Sequence, residues 1–459
     1  MALLRRIPRR AAAQQDSLDD AARVAPDRLA AYSRAGDYYD GDQRTRLTDR
    51  QRRYLEASGL AFRENFCEPV VDVLVERLSV SGLSCLDDEV DEWARDALPR
   101  FDALQGLVYH EAVLKGDAYV IVDWDAPAGA PRFVFNPPEM VNCPFVEDHG
   151  WASKVWETDV VGPQNERGRR VQRLNVYRPD QVEKWYRLGG GTAGGGWERW
   201  YDAAGDPWPV PWLDRDGRPL GLAVIHFRHR SHGRSYGSSE LANVIPQQDE
   251  LNKLLLDLFE LMDYQAAPYR YATGVNADNA VVNPEPGRMA TTPNENASFG
   301  QLDAANPDGL LRAVEQCLSR IARRSRTPLH LLTGGDMPSG EALRSAEAGL
   351  VAKALAAQVP FGDAWEEAVG IAHRLSLARG DGVPGTGAER WTTAWVNPYS
   401  RSDKEDAEVG IMLAELGVSR HTILTRLGYD PEREEAHRAT EREALGEGVG
   451  RLLDGGAGA

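Results

Sequence analysis

The chain has 459 residues, enough for roughly two to four domains, with a formal net charge of −17 and 27% charged residues. This charge excludes a protein that grips nucleic acid over its whole surface, but not one that lets nucleic acid slide past. No apolar run reaches about 18 residues, so no membrane span is expected. The cysteines are scattered and are expected to be reduced thiols: Cys67, Cys85, Cys143 and Cys317.

The first part of the chain is predicted to be helical after a basic arm. Residues 1–16 have no apolar periodicity and are expected to be disordered. Beyond them, amphipathic spacing predicts helices at Asp19–Tyr32, Glu64–Leu78, Asp88–Leu98 and Phe101–Lys115.

The apolar period then changes to that of strands. Many of the chain's 12 tryptophans lie in this region, from Trp151 to Trp212. Helices followed by an antiparallel sheet predict an α+β fold rather than alternating βαβ units. The predicted strands are Ala118–Trp124, Pro131–Phe135, Val155–Val161, Gln172–Arg178, Val182–Leu188, Trp197–Tyr201 and Leu222–Arg228.

Two helices of opposite charge are predicted on either side of a Pro/Asn-rich segment. Pro246–Tyr264 has its leucines on one face, and Leu310–Arg326 has apolar residues at 3-4-3 spacing. The second helix carries five arginines against one acid, Glu315. We expect the helices to pair antiparallel and to hold out the segment between them. The acids of the first helix and its approach are Glu240, Asp249, Glu250, Asp257, Glu260 and Asp263.

The rest of the chain is predicted to be helical around a single strand. Thr327–Pro338 is expected to be a loop, and Ser339 to cap a long helix that runs to Arg379 and kinks at Pro360. The strand Trp391–Val396 is expected to rejoin the earlier sheet. Two helices follow at Ser402–Leu416 and Ser419–Leu427, Glu432–Leu445 is charged all round, and the Gly/Ala-rich tail is expected to be disordered.

No motif in the sequence predicts catalysis, a metal site or a cofactor. Gly189–Gly194 matches GxGxxG, but it lacks the following helix that a phosphate site needs, so a hairpin loop is the preferred interpretation. His226, His229 and His232 have no acidic or cysteine neighbour in sequence, so they are expected to be partly exposed rather than metal ligands. The chain is therefore not expected to be an enzyme.

The sharpest charge cluster is Arg320, Arg323, Arg324 and Arg326. One interpretation is pairing with the acidic helix, within a subunit or between subunits. The other is contact with phosphates from a channel wall. The acids considered for the first interpretation are Asp257, Glu260 and Asp263.

Several short motifs, taken in order, resemble tailed-bacteriophage portal proteins of the SPP1-like class. The resemblance covers about residues 30–445, and it depends on the order and spacing of the motifs rather than on any one of them. The matching stretches are Tyr38-Tyr-Asp-Gly-Asp, Gly233-Arg-Ser-Tyr-Gly-Ser-Ser-Glu240, Pro246-Gln-Gln-Asp-Glu-Leu-Asn-Lys253, Tyr269-Arg-Tyr-Ala-Thr-Gly274 and Pro338-Ser-Gly-Glu-Ala-Leu-Arg344.

The resemblance implies a portal fold with named regions. Between the arm at 1–16 and the tail at 446–459, it implies a wing of helices and antiparallel sheet at 17–235, a first stem helix at 236–265, a clip at 266–309, a second stem helix at 310–326, a tunnel loop at 327–338, a kinked helix with a return strand of the wing at 339–400, and a helical crown at 401–445.

The resemblance also implies a function without catalysis. Portals form a ring, dodecameric in the virion, at one capsid vertex, through which double-stranded DNA is packaged and ejected. The implied partners are the terminase large subunit, a head–tail adaptor, and the major capsid and scaffolding proteins, with assembly in the host bacterial cytoplasm and no membrane. Another head–tail adaptor or minor capsid protein, and a nucleic-acid-processing enzyme, are the alternatives.

Two sets of residues follow from this implied function. The DNA-channel candidates are Arg320, Arg323, Arg324, Thr327, His330 and Thr333, and the subunit-interface candidates are Asp257, Glu260, Asp263 and Arg326. The segment 327–338 contains no Lys or Arg, so any contact that it makes with DNA must use shape, backbone groups and hydroxyls.

Overall fold

The computed structural model describes most of the chain as two compact units. The larger unit draws on Met1–Asp37, Pro69–Ala242 and Arg326–Ala459, and the smaller on Tyr38–Glu68 and Asn243–Ser325. The described residues are 9–43, 48–58, 64–97, 101–144, 150–159, 170–188, 195–266, 270–274, 296–301, 306–334, 340–399, 403–426, 434 and 438.

Most helices lie where the apolar periodicity of the sequence predicts them. The predicted pair of opposite charge and the long helix are all present, and the long helix has Pro360 in its interior. The helices are α1 Arg9–Ala21, α2 Pro26–Tyr39, α3 Asp49–Ser58, α4 Cys67–Val75, α5 Asp88–Ala97, α6 Phe101–Lys115, α7 Ile245–Ala266, α8 Asp308–Ser325, α9 Leu329–Thr333, α10 Gly340–Arg379, α11 Asp403–Glu415 and α12 Arg420–Arg426. Helix α3 was not predicted, and the predicted helix Asp19–Tyr32 is divided between α1 and α2.

The strands form antiparallel sheets, which confirms the mixed helical and antiparallel-β class. The orders are β1-β13, β10-β2-β3, β11-β12 and β4-β5-β6-β7-β8, with β9 paired to β7. The strands are β1 Val80–Ser84, β2 Asp117–Asp125, β3 Ala130–Asn136, β4 Val141–Asn142, β5 Ala152–Thr158, β6 Val171–Tyr177, β7 Gln181–Leu188, β8 Glu198–Arg199, β9 Val210–Pro211, β10 Val224–Arg228, β11 Arg270–Thr273, β12 Ser298–Gln301 and β13 Thr392–Trp395.

The prediction of a disordered arm over residues 1–16 is wrong from residue 9 onward. Helix α1 packs on the tryptophan-rich sheet, where Leu18 lies in one buried cluster with Leu174 and Trp185. The side-chain amide of Gln15 also donates to the carbonyl of Trp197 at 3.0 Å. The sequence pattern missed this helix because its apolar face is short and its stability comes from tertiary packing.

Helix α10 forms the core of the larger unit together with the sheet β10-β2-β3 and helix α6. Trp365 is fully buried and its ring lies 4.8 Å, centroid to centroid, from that of Phe227. Its indole N–H donates to the Tyr109 hydroxyl at 2.8 Å. Because a buried indole needs a hydrogen-bond partner, this contact fixes where the long helix crosses α6.

The smaller unit is built on the paired helices α7 and α8. Chain continuity sets their direction, because Ala266 leads into β11 and β12 leads back to Asp308, and these two strands pair antiparallel with Arg270 opposite Gln301. The end of α7 and the start of α8 therefore lie at the same end of the pair, and the helices run antiparallel as predicted. We call that end the hairpin end.

Two other predicted segments differ from the structure. The strand at 392–395 pairs with β1, which the sequence did not predict, and not with the larger sheet. The predicted loop 327–338 contains the helix α9, whose end is capped by Gly334 at φ 63°, with its N–H donating to the carbonyl of His330 at 3.1 Å. Residues 335–339, the GxGxxG segment 189–194 and the tail after residue 438 lie outside the described residues.

Candidate nucleic-acid interface

Helix α8 carries exposed arginines on a face that does not pack. Its buried residues are Cys317, Ile321, Ala322 and Ser325, which fall on one face. Arg323 and Arg324 are exposed, and the Nε of Arg323 donates to the carbonyl of Ser319 at 3.2 Å. These two arginines are therefore presented to solvent at the end of the helix remote from the hairpin end.

Arg320 differs from the other arginines because it already has an acidic partner. Its guanidinium lies 2.6 Å from the carboxylate of Glu250 on α7. Nearby, the Sγ of Cys317 lies 3.4 Å from the carbonyl oxygen of Gln247. The predicted pairing of the basic with the acidic helix is thus present within one chain through Glu250, an acid that was not among the predicted interface residues.

The register of the antiparallel helices explains this choice of acid. The contacts of Arg320 and Cys317 with Glu250 and Gln247 put Arg323 level with the start of α7, no further along it than Gln247. Asp257 is at least ten residues further along α7, which at about 1.5 Å per residue is about 15 Å. Arg323 and Arg324 therefore cannot reach Asp257 or Glu260 in the same chain.

The interface candidates on α7 have different surroundings. Asp257 accepts a hydrogen bond from the side-chain amide of Gln51 at 2.9 Å, and Glu260 is partly exposed. The side chain of Asp263 lies outside the described residues. Arg326 belongs to the larger unit, and its side chain is exposed. Its backbone is left-handed, with φ of 54°. It lies beside Gly349 of α10, where an added Cβ would be 3.5 Å from the Cβ of Arg326.

Within the larger unit, the candidates of the segment 327–338 are not equally accessible. Thr327 is buried and His330 is partly buried, whereas Thr333 is exposed and its hydroxyl donates to the carbonyl of Leu329 at 3.0 Å. Of the two hydroxyls that the sequence offered for DNA contact, only that of Thr333 reaches the surface.

Asp117 and Glu240 are buried carboxylates of the larger unit whose partners could not be identified from the sequence. Asp117 is fully buried, and it accepts hydrogen bonds from the Tyr32 hydroxyl at 2.8 Å and the Gly237 N–H at 2.7 Å. It also pairs with Arg28 and contacts the Nε2 of His226 at 2.8 Å. Burial acts to raise the pKa of Asp117, but these hydrogen bonds and charges outweigh it and hold the pKa below its usual value.

Glu240 is the second buried carboxylate, and it binds three basic side chains. His229 lies 3.0 Å away, Lys353 on α10 lies 3.0 Å away and Arg230 lies 3.4 Å away. Burial opposes the charge of Glu240, but the His229 hydrogen bond and the Lys353 charge lower its pKa to about 2. Burial in turn lowers the pKa of Lys353, an effect that Glu240 opposes.

The expectation of partly exposed histidines is confirmed for His226, which is 12% exposed, but is wrong for His229, which is buried. His226 faces Asp117, and His229 is 2% exposed and faces Glu240, while His232 is exposed. The sequence search failed because the acids are 109 and 11 residues away along the chain. Among the described residues, no group of three or more His, Cys, Asp or Glu side chains is arranged to hold a metal ion.

The motif Gly233–Glu240 is explained by these two carboxylates. It supplies the Gly237 N–H to Asp117, the ring of Tyr236 beneath the Arg28 guanidinium at 4.7 Å, and Glu240 itself. A spacing pattern cannot show this, because each partner comes from a distant part of the chain.

Comparison with known proteins gives consistent matches. Residues 160–444 match the family model for phage portal proteins of the SPP1 Gp6-like type. A portal protein of Mycobacterium phage D29 is 26% identical over 416 residues, which cover 84% of this chain and 80% of the relative. A portal protein of Mycobacterium phage L5 is 25% identical over 418 residues, with the same coverage of 84% and 80%.

Solved structures of gene transfer agent particles also match. The neck of a native particle, computed with C12 symmetry, has a TM-score of 0.41 and 14% identity, covering 84% of this chain and 96% of that chain. The virion of a native particle has a TM-score of 0.41 and 13% identity, covering 84% of this chain and 100% of that chain.

Proposed function

This chain belongs to the SPP1 Gp6-like family of phage portal proteins, and we propose that its copies form a closed ring through which double-stranded DNA passes during packaging and ejection. The observation that carries the proposal is the family match over residues 160–444, which includes both helices of the charged pair and the long helix α10. The two mycobacteriophage relatives, both portal proteins, support it.

The charge of the chain suits a conduit that does not bind its cargo tightly. At a net charge of −17 per chain, a dodecameric ring carries a charge of about −200. Such a surface repels phosphates, so DNA is not held on its way through. Short-range contacts with the phosphate backbone then come from a few basic side chains and do not depend on sequence.

The implied portal regions are assigned to the described elements as part of the same proposal. We propose α7 and α8 as the stem, β11 and β12 as the base of the clip, and α9 as part of the tunnel loop. The long helix α10 supports that loop, α11 and α12 belong to the crown, and the wing consists of the helices and sheets before residue 235, with β13 as its return strand.

Fewer residues are proposed to contact DNA than the sequence suggested. On α8 they are the exposed Arg323 and Arg324, because the charge of Arg320 is already balanced by Glu250. In the segment after α8, Thr333 and the partly buried His330 are the proposed contacts, and Thr327 is set aside because it is buried.

The proposed partners follow from the position of a portal at one capsid vertex. They are the terminase large subunit during packaging, a head–tail adaptor afterwards, and the major capsid and scaffolding proteins during assembly in the host cytoplasm. The chain itself is proposed to hydrolyse nothing. No helix in the described ranges is both long and apolar enough to span a bilayer.

Two assays separate this function from its alternatives. Metal-dependent nuclease or ATPase turnover by the purified chain would favour a nucleic-acid-processing enzyme. A virion copy number far from twelve, measured by quantitative mass spectrometry of purified particles, would favour another adaptor or a minor capsid protein. The portal function predicts no turnover and a copy number close to that of one ring.

Reversing both exposed arginines tests the basic helix. Arg323→Glu with Arg324→Glu is expected to leave a folded chain, because both side chains are exposed, but to reduce the yield of DNA-filled heads by about tenfold or more. The yield is measured by complementation with the variant gene. The control is Arg52→Glu with Arg53→Glu, an exposed pair on α3 of the same unit. Normal packaging with the first variant would show that the arginines form only a solvated face.

A further inference from the structure

The register of α7 and α8 identifies a different arginine as the partner of the acids near the hairpin end. The contacts at Glu250 and Gln247 put Arg312 level with residues 252–258 of α7. Asp257 lies inside that range and Glu260 is two residues beyond it, about 3 Å along the axis. Of the arginines on α8, Arg312 is the one at the height of these acids.

Arg312 belongs to a polar stripe that points away from the helix pair. With Gln316, Ser319 and Arg323 it follows 4-3-4 spacing, so the four residues lie on one face of α8, opposite the buried Cys317 and Ile321. Arg312 is exposed, and in the ranges that the structure describes it forms no ion pair. Its neighbour Leu311 is 44% exposed.

Helix α7 carries acidic side chains, opposite in charge to Arg312, at the same height. Asp257 and Glu260 lie three residues apart on one face and are partly exposed. Close by, Phe259 is 38% and Met262 is 51% exposed, although both are large and apolar. An exposed apolar strip beside unlike charges is typical of a surface that is covered in an assembly.

Cyclic symmetry determines which residues can meet. Neighbours in a ring are related by rotation about its axis, so when the stem runs along that axis, residues at equal height face one another. Arg323 and Arg324 are then about 15 Å or more from the neighbour's Asp257 along the axis, which is too far for a salt bridge. Arg312, in contrast, lies at the height of the neighbour's Asp257.

We propose that in the assembled ring Arg312 of each copy pairs with Asp257 and Glu260 of the next copy, with the exposed Leu311, Phe259 and Met262 packed beside the pair. The partner is a second copy of this chain, and the inference rests on the ring proposed above. The contact is heterologous, with a basic surface of one copy on an acidic surface of the next, so it propagates around the ring and closes.

A charge exchange tests the interface. Arg312→Glu and Glu260→Arg are each expected to lower the ring fraction of the purified chain by about tenfold, because each puts like charges together at every interface. The double variant is expected to restore rings, as measured by native mass spectrometry. The control, Arg324→Glu with Glu260→Arg, is expected not to restore them. Rings that persist in Arg312→Glu while packaging fails would show that Arg312 faces DNA, and would overturn the inference.

Thiol cross-linking gives an answer that does not depend on how strongly the charges act. In a Cys85→Ser background, rings with Arg312→Cys and Glu260→Cys are expected to give a ladder of linked chains with a bifunctional maleimide as long as the two side chains it replaces, since a direct disulfide would need Cα atoms within about 7 Å. Arg324→Cys with Glu260→Cys is expected to give none. Rings without a ladder in the first variant would refute this interface alone. A wild-type chain that forms no ring would refute the proposed function itself.

Discussion

Gly237→Ala is expected to destabilise the larger unit by about 3 kcal/mol or more. A Cβ on Gly237 would lie 1.9 Å from the carbonyl oxygen of Gly116 and 2.6 Å from that of His229. Both are backbone atoms, so neither can rotate away. The two oxygens also accept the hydrogen bonds from His229 N–H and Ser238 N–H, each at 2.8 Å. Relieving the clash would break these buried bonds and displace Gly237 from Asp117.

The free energy of unfolding in urea measures this effect. Gly106→Ala on α6 is the matched control, since a Cβ there meets nothing within 4 Å. Because alanine is a better helix former than glycine, the control is expected to be neutral or to stabilise the chain by about 0.5–1 kcal/mol. A Gly237→Ala variant as stable as wild type would mean that the two backbone segments do not approach this closely.

Glu240→Gln is expected to cost about 3–5 kcal/mol of unfolding free energy at pH 7. The substitution keeps the shape of the side chain but removes the charge that binds Lys353 and His229. Lys353 is 9% exposed, so its buried ammonium would lose the carboxylate charge that lies 3.0 Å away. Since Lys353 lies on α10, the weakened contact also loosens the long helix from the segment that follows β10.

The pH dependence of this loss has a defined sign. The folded pKa of Glu240 is about 2, below its ordinary value of 4.5, so the stabilisation is complete above pH 4.5 and disappears as the pH falls through 2. The shift corresponds to about 3 kcal/mol. The difference in unfolding free energy between wild type and Glu240→Gln should therefore shrink by about that amount between pH 5 and pH 2, as measured by urea titrations at each pH.

A second variant separates the lost charge pair from a general disturbance. Adding Lys353→Met to Glu240→Gln removes the stranded ammonium, and replacing both charges by neutral groups is expected to recover a large part of the loss. If the double variant is no more stable than Glu240→Gln, or if the loss is the same at pH 2 and pH 7, then the ion pair is not the source of the stability.

The spacing of apolar residues correctly predicted the helices and strands whose buried faces are visible within a single short segment of sequence. The leucines of α7 and the 3-4-3 spacing of α8 define helices whose apolar faces pack, and the continuous apolar run of β2 defines a buried strand. Helix α1 and strand β1 escaped prediction because their stability depends on partners far along the chain, such as Trp185 and β13.

The candidate interface was predictable in composition but not in pairing. The sequence identifies an acidic and a basic helix, and it predicts that they meet. It does not contain their register, which the connecting hairpin and the contacts at Cys317 determine. For the same reason Glu240 and Lys353, 113 residues apart, could not be matched before the fold was known.

Electron microscopy of the purified full-length chain is the most direct test of the portal function. The family match and the charged stem predict class averages of a closed ring with an open central channel and a symmetry of or near twelve. Monomers, open chains or particles without a channel, at protein concentrations where related portals assemble, would contradict it.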